Sequence, residues 1–205
     1  AVVGATGAVG EEIFRVLEEL KFSVGEVLPL ASAKSAGSQI EFNGKKFKVQ
    51  ELTDTVFKEN KIDIAFFSAG GSVSQKFAPL AAKSGAVVID NTSHFRMEPD
   101  VPLVVPECNP NDIKNWKKTG IIANPNCSTI QMVQILKPLD DAFGIKRVDV
   151  STYQAASGAG KEGMEELVLQ MQKFFEFKLD ECLPKAFAHQ LALNVIPHID
   201  VFLDN

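Results

Sequence analysis

One cysteine stands where a thiol can act as a nucleophile. It lies in the stretch Ile121-Ile122-Ala123-Asn124-Pro125-Asn126-Cys127-Ser128-Thr129-Ile130. Two β-branched apolar residues feed a polar turn, and Ile130, Val133, Leu136 and Leu139 then recur at helical spacing. Asn126 or Ser128 is suited to cap that helix, which puts Cys127 in or beside its first turn. The unpaired N–H groups and the dipole of a helix N-terminus stabilise a thiolate, the nucleophilic form of cysteine. The competing reading is a buried structural cysteine, since free Cys is among the most buried residue types. The local pattern alone does not separate the two.

A second group of residues has the makings of a dinucleotide site. Gly4-Ala5-Thr6-Gly7-Ala8-Val9-Gly10 follows a short apolar run and opens an amphipathic helix. The spacing is G-x-x-G-x-x-G rather than the common G-x-G-x-x-G, but the physical job is the same. Glycines let the backbone turn tightly beside a pyrophosphate, and the helix N-terminus attracts the anion. A tight strand-to-helix turn with no ligand is the alternative. The loop after the next strand reads Ser32-Ala33-Lys34-Ser35-Ala36-Gly37. NAD sites place an Asp or Glu near this point for the ribose 2′-hydroxyl. Here there is no acid, and Lys34 between two hydroxyls suits a 2′-phosphate, which favours NADP. Ser68-Ala69-Gly70-Gly71, beyond a further strand, is a small-residue loop that either lines a cofactor or simply turns the chain.

Arg96 lies on the polar loop after Ala86-Val87-Val88-Ile89-Asp90. An arginine beyond a strand end can hold a carboxylate or phosphate bidentately. On the residues alone, a surface ion pair with Glu98 or Asp100 is the better reading.

The elements that must position these groups alternate strand and helix. Strands are expected at residues 1–3, 27–31, 62–67 and 86–90, and the apolar Ile121-Ile122 pair feeds the Cys127 turn, with helices after Gly7, after Ser72 as a cap, and after Cys127. Pro29 in the second strand removes a ladder donor, so a fully central position needs a bulge. Residues 40–49 read as a hairpin turning at Asn43-Gly44. The helix after Cys127 is expected to kink or restart at Pro138. Residues 146–154 alternate like a half-buried strand, and Glu165–Lys178 reads as a helix with Leu167, Val168, Met171, Phe174 and Phe175 on or near its buried side. From Asp180 onward the reading is extended and loop structure. The alternation up to about residue 140 argues for a parallel sheet with helices on both faces, an α/β fold.

Composition narrows the partners. With 205 residues, 45% apolar and 23% charged, the chain buries a core. A net charge of −5 argues against a nucleic-acid binder. No apolar run approaches the roughly 18 residues of a membrane span. Three cysteines, Cys108, Cys127 and Cys182, without metal spacing, suggest a reduced cytoplasmic protein with no metal. Both ends look incomplete: residue 1 is already inside a strand, and residues 196–205 stop without a closing element.

Together the glycine loop, Asp90-Asn91-Thr92-Ser93, Val104-Val105-Pro106-Glu107, Asn124-Pro125-Asn126-Cys127-Ser128-Thr129 and Ser151-Thr152-Tyr153-Gln154-Ala155-Ala156-Ser157-Gly158-Ala159-Gly160 resemble the bacterial aspartate-semialdehyde dehydrogenases. The likeness runs from residue 1 to 205 in order. It implies a Rossmann-like, doubly wound, mostly parallel sheet as an NADP-binding domain over 1–126. The start of an α+β catalytic and dimerisation domain would occupy 127–205. It implies reductive dephosphorylation of L-4-aspartyl phosphate to L-aspartate 4-semialdehyde, in lysine, threonine, methionine and isoleucine biosynthesis.

By the same resemblance Cys127 forms a thioester, and Arg96 with Asn126 beside it holds the substrate phosphate. Gln154 orients the substrate at the thioester. Thr6, Gly7, Ala8 and Val9, with the loop Ser68-Ala69-Gly70, meet NADP. Ser32, Lys34 and Ser35 serve its 2′-phosphate, and Ser157 and Gly158 its nicotinamide end. A homodimer or homotetramer is implied.

The family's acid/base histidine and carboxylate-binding arginine fall beyond residue 205, and His94, His189 and His198 match neither. The expectation is therefore that these 205 residues alone do not turn over. Within the class, N-acetyl-glutamyl-phosphate reductase and glyceraldehyde-3-phosphate dehydrogenase use the same chemistry, but the polar context of Cys127 favours the aspartate enzyme. A short-chain dehydrogenase needs Tyr-x-x-x-Lys, and Tyr153 is followed four residues on by Ser157. From a different class, a dinucleotide-binding module without catalysis also fits.

Overall fold

A computed structural model describes residues 1–197. The chain forms two compact units, Ala1–Thr152 and the residues from Tyr153 onward. In the first unit, strands and helices follow the order β1 (Val2–Val3), α1 (Ala8–Glu19), β2 (Pro29–Ala31), β3 (Gln39–Phe42), β4 (Lys45–Lys48), β5 (Gln50–Glu51), α2 (Val56–Glu59), β6 (Ile64–Phe67), α3 (Gly71–Lys83), β7 (Val87–Asp90), β8 (Ile121–Ala123) and α4 (Cys127–Phe143). Six strands make one sheet in the order β5-β2-β1-β6-β7-β8, and every pairing in it is parallel. β3 and β4 form a separate antiparallel hairpin through Asn43-Gly44.

The short central strand works because it is buried from both sides. Val3 is fully covered, and with Leu30, Phe67 and Val88 it meets the α2–α3 side, where Phe57 stacks on Phe67 with ring centroids 6.1 Å apart. On the other side Val2 meets Phe14 of α1 and Phe42 of the hairpin, whose rings lie 5.9 Å apart. Each such fully buried aromatic or aliphatic side chain contributes about 1.5–3 kcal/mol.

Pro29 needs no bulge, contrary to the sequence expectation. Leu28 and Leu30 turn their carbonyls to β1, accepting from Val2 and Gly4 at 3.0 and 2.9 Å, whereas Ala31 accepts from Leu52 on the other side. Pro29 therefore faces the β5 side, and β5 begins opposite Leu30, one residue later. The missing N–H falls where no ladder partner stands.

Three other expectations are corrected. Gly70, not Ser72, is the N-cap of α3. Of the kink or restart expected at Pro138, the restart does not occur, since α4 is one helix through that residue. Residues 146–154 form no strand: Val148, Val150 and Tyr153 are exposed, and no ladder partner for them lies among the described residues. Alternation makes a strand only where a neighbouring edge accepts it. The sequence reading passed over β5, α2 and a 3-10 stretch at Pro110–Lys118, all too short or too irregular to show a period.

The second unit is organised by α5 (Gly160–Phe175), which starts five residues before the expected Glu165 and follows a 3-10 turn at Ala156–Ala159. Its buried side is polar. Glu166 Oε2 accepts from the amides of Lys185 and Ala186, both at 2.6 Å, and Gln170 Oε1 accepts from Leu191 and Ala192, both at 2.9 Å. Leu167 and Met171 are half-buried, while Val168, Phe174 and Phe175 are exposed, against the apolar face read from sequence. The reason is what lies opposite: an irregular segment offers bare amides, which need acceptors when covered. Residues 182–197 are irregular, as expected from Asp180 onward, and His198 and residues 199–205 lie outside the described residues.

The tightest packing in the first unit is at the glycine loop. A Cβ on Gly10 would sit 2.1 Å from the Gly4 carbonyl oxygen, and one on Gly4, at φ +88°, would meet Ser68 at 3.0 Å. Replacing Gly10 with Ala is expected to lower the unfolding free energy by about 2–4 kcal/mol. Urea unfolding followed by circular dichroism measures this, and an unchanged midpoint would contradict the close approach.

Candidate functional site

The parallel register places the C-terminal ends of β2, β1, β6, β7 and β8 on one edge, and the sequence-predicted residues of the first unit gather there. Between β1 and β6 the chain order reverses, since β2 and β5 build outward on one side and β7 and β8 on the other. Ligands of doubly wound sheets bind outside the strand ends at that switch point. The Gly4 loop and Ser68 meet there: Ser68 donates through its amide to Val3 O at 2.9 Å and through Oγ to the same oxygen at 3.1 Å.

Helix α1 begins over this point. Its cap residue is Gly7, with no side-chain acceptor for the first turn, and the first backbone bond in the helix runs from Glu11 N to Gly7 O at 2.9 Å. The amides of Ala8, Val9 and Gly10 precede that bond. An uncapped helix start beside a backbone crevice that admits no Cβ fits a pyrophosphate. Thr6 and Gly7 lie in the turn, and Ala69 and Gly70 open the exposed loop next to it. Past β2, Ser32 and Lys34 are exposed and Ser35 is half-buried, in a turn closed by Ser35 N and Ala36 N on Ser32 O at 2.9 and 3.0 Å.

At the β7–β8 end the site is charged. Asp90 is fully buried, and its carboxylate accepts from Ser74 Oγ at 2.7 Å, Thr92 N at 3.1 Å and Thr92 Oγ1 at 2.9 Å. These bonds satisfy a group that would otherwise be costly to cover. They also turn the chain back so that Arg96 reaches the strand ends. Arg96 Nε donates to Asn124 O at 2.9 Å and Nη2 to Asn91 O at 3.1 Å. The expected surface pairing with Glu98 or Asp100 does not form: Asp100 pairs with Lys118. The guanidinium is anchored on two carbonyls and keeps its charge for another group.

Two residues beyond Asn124, Asn126 caps α4. Its Oδ1 accepts from Ser128 N at 3.0 Å and Ser128 Oγ at 2.6 Å. Cys127 is the first helical residue and is exposed, with Sγ 4.0 Å from Asn126 Oδ1. Within this chain Cys127 is not a buried cysteine. Cys108 is half-buried, its Sγ donating to Val133 O at 3.5 Å, and Cys182 is half-buried as well. His94 packs edge-on against Phe95, centroids 4.6 Å apart.

In the second unit Gln154 precedes the 3-10 turn that carries Ser157 and Gly158, and a Cβ on Gly158 would lie 3.8 Å from Gln154 Oε1. The structure thus brings those three together locally. Sequence reasoning missed the roles of Ser74, Asn91 and Asn124. The signal for the two asparagines was their place: each is the first residue after one of two adjacent strands.

Comparison with known proteins places this geometry. The family description "Semialdehyde dehydrogenase, NAD binding domain" matches residues 1–116, and "Semialdehyde dehydrogenase, dimerisation domain" matches residues 136–205. The chain belongs to the semialdehyde dehydrogenase family. The aspartate-semialdehyde dehydrogenase of Campylobacter jejuni is 77% identical over 205 residues, all of this chain and 60% of that protein. Among solved structures, aspartate semialdehyde dehydrogenase II of Vibrio cholerae complexed with ASA superposes with a TM-score of 0.92 at 50% identity, covering 99% of this chain and 59% of that one. Aspartate semialdehyde dehydrogenase of Candida albicans with NADP gives 0.56 at 31% identity, covering 70% and 47%. This semialdehyde dehydrogenase chain thus spans about 60% of the length of the curated relatives it matches.

Exposure separates the three thiols. Limiting iodoacetamide is expected to label Cys127 about tenfold or more faster than Cys108 or Cys182, read per cysteine by mass spectrometry. Equal rates would remove the argument for an accessible nucleophile.

Proposed function

We propose that the protein carrying this chain is an aspartate-semialdehyde dehydrogenase. The reaction is the NADP-dependent reductive dephosphorylation of L-4-aspartyl phosphate to L-aspartate 4-semialdehyde. The observation that carries this reading is the Asn124–Cys127 turn: one short segment begins on the carbonyl that fixes Arg96 and ends on an exposed thiol at a helix start. An acyl phosphate asks for that pair, a cation for the phosphate and a nucleophile for the carbonyl.

In this mechanism Arg96 holds the phosphate, with Asn126 beside it, and Gln154 orients the acyl group. The Cys127 thiolate attacks the carbonyl carbon, the C–O bond to phosphate breaks, and inorganic phosphate leaves while the acyl group stays on sulfur as a thioester. Bound nicotinamide supplies the hydride that the thioester carbonyl takes up. The resulting thiohemiacetal gives the aldehyde as its C–S bond breaks and the thiolate of Cys127 returns. Thr6, Gly7, Ala8 and Val9 with Ser68, Ala69 and Gly70 hold the pyrophosphate region. Ser32, Lys34 and Ser35 hold the 2′-phosphate, and Ser157 and Gly158 the nicotinamide end. Support comes from the uncapped start of α1, from the absence of an acid past β2, and from the relatives' names. The cofactor part is read as ending at residue 126 and the catalytic and dimerisation part as beginning at 127; the matched family segments end at 116 and start at 136, and the compact units divide after Thr152. The protein works in the cytoplasm as a homodimer or homotetramer.

Turnover of the whole protein that carries this chain is followed by NADPH absorbance with aspartate semialdehyde, NADP and phosphate in the reverse direction. Replacing Cys127 with Ser is expected to lower it about a thousandfold or more with NADPH binding unchanged. Lys34→Ala is expected to weaken NADPH about tenfold while leaving NADH as it was. Activity on N-acetyl-glutamyl phosphate instead would assign the related reductase. NADP binding with an inert Cys127 would leave a dinucleotide-binding module.

A further inference from the structure

Asn91 and Asn124 occupy equivalent places on neighbouring strands. The β7–β8 register sets Asp90 opposite Ala123, so each asparagine is the next residue past a strand end. The ladder extends one bond further, Asn124 N to Asp90 O at 2.8 Å. Beyond it the side chains take over: Asn124 Nδ2 donates to Asn91 Oδ1 at 2.6 Å. Arg96 then bridges the carbonyls of the same two residues, at 3.1 Å on Asn91 and 2.9 Å on Asn124. Every bond that orients the guanidinium thus lands on one asparagine pair, and Asn124 is also where the turn to Cys127 begins.

We propose that the Asn91–Asn124 amide pair is a positioning device that sets the Arg96 guanidinium relative to the Cys127 thiol. The inference rests on the reading of Arg96 as the anion-holding residue and Cys127 as the nucleophile. Its physical basis is that parallel strands end without a partner, so successive loops drift apart unless something ties them. A side-chain amide bond between the first loop residues is such a tie. It is half-buried, where a lost partner is not replaced by water at no cost. Asp90 holds the other side of the same loop through Thr92, so Asn91 is fixed at both of its flanks. Without the amide pair, Arg96 keeps both carbonyl acceptors, but their spacing is no longer set. The anion site and the nucleophile then lose their common reference point while the fold remains.

The test uses the charge of Arg96 as a ruler. A fixed cation near Cys127 speeds alkylation by anionic iodoacetate relative to neutral iodoacetamide, and inorganic phosphate bound at Arg96 cancels that preference. Both rates are read at Cys127 by mass spectrometry on the full chain. Loss of stability that leaves the chain folded at the labelling temperature does not move their ratio. Asn91→Ala is expected to lower the iodoacetate-to-iodoacetamide ratio about fivefold and to weaken its suppression by phosphate. Asn124→Ala is expected to do the same, and the double variant no more than either single one, as for residues acting as a unit. Thermal unfolding of each variant confirms that the fold persists.

A wild-type ratio unchanged in Arg96→Met, with no effect of phosphate, overturns the reading of Arg96 and the proposal with it. A ratio that falls in Arg96→Met but stands in Asn91→Ala and Asn124→Ala overturns the positioning role alone. Single-variant losses that add in the double variant also overturn it, because the two residues would then act separately.

Discussion

The first unit depends on how closely α1 approaches the strand it follows. With the Gly4 oxygen 2.1 Å from where a Gly10 Cβ would lie, helix and strand touch backbone to backbone. That contact lets an uncapped helix start sit directly over the sheet edge instead of a side chain's width away. It also holds Gly4 against Ser68, so the loops after β1 and β6 share a wall. A side chain at either glycine would move the helix dipole, the amides of its first turn and the neighbouring loop together. The alternative sequence reading, a glycine turn that binds nothing, accounts for the same tight packing; what the close approach adds is a first turn whose amides no side chain covers.

What was legible in the sequence follows from burial. The core strands could be read because parallel strands covered on both faces are continuous apolar runs, as in Ile64–Phe67 and Val87–Asp90. The edge strand Gln50–Glu51 is polar and exposed and gave no such signal. Residues 146–154 gave a false one, because alternation describes the side chains and says nothing of a ladder partner. The polar inner face of α5 was invisible for a related reason: Glu166 and Gln170 are covered because the amides opposite need acceptors, and those amides are 19 to 22 residues away in sequence. At the candidate site the sequence pointed to Cys127 at a helix start, with Asn126 or Ser128 as its cap, and to the loops past β1, β2 and β6; the cap is Asn126. It did not identify what fixes Arg96. On residue types alone an acidic neighbour such as Glu98 outranks two backbone carbonyls, and carbonyls acquire an address only once the strands are in register.

The strand-end geometry also explains why polar and charged groups are tolerated so near the core. Asp90 is a carboxylate at the foot of the α3 packing surface, next to Val88 and Ala78, which are fully covered. It is held by three donors from two elements, and no buried side-chain nitrogen or oxygen among the described residues lacks a partner. The network is complete without a ligand. A site of this kind is ready before the substrate arrives, and the ordering of its loops is not charged to binding.

Under the proposed reaction the division of labour runs along the sheet edge. The β1 and β6 ends present amides and small residues, suited to a long polyanion that must lie against backbone. The β2 end adds one exposed cation past a hydroxyl-rich turn. The β7 and β8 ends present a fixed guanidinium and a thiol, suited to a small acyl phosphate that must be both neutralised and attacked. Under that reading Cys127, exposed at the start of α4, stands open to an acyl phosphate. A purely dinucleotide-binding module would need the first three ends and not the last two. On the proposed reaction, the buried aspartate, the two asparagines and the arginine of the β7–β8 edge serve chemistry at Cys127 rather than cofactor binding.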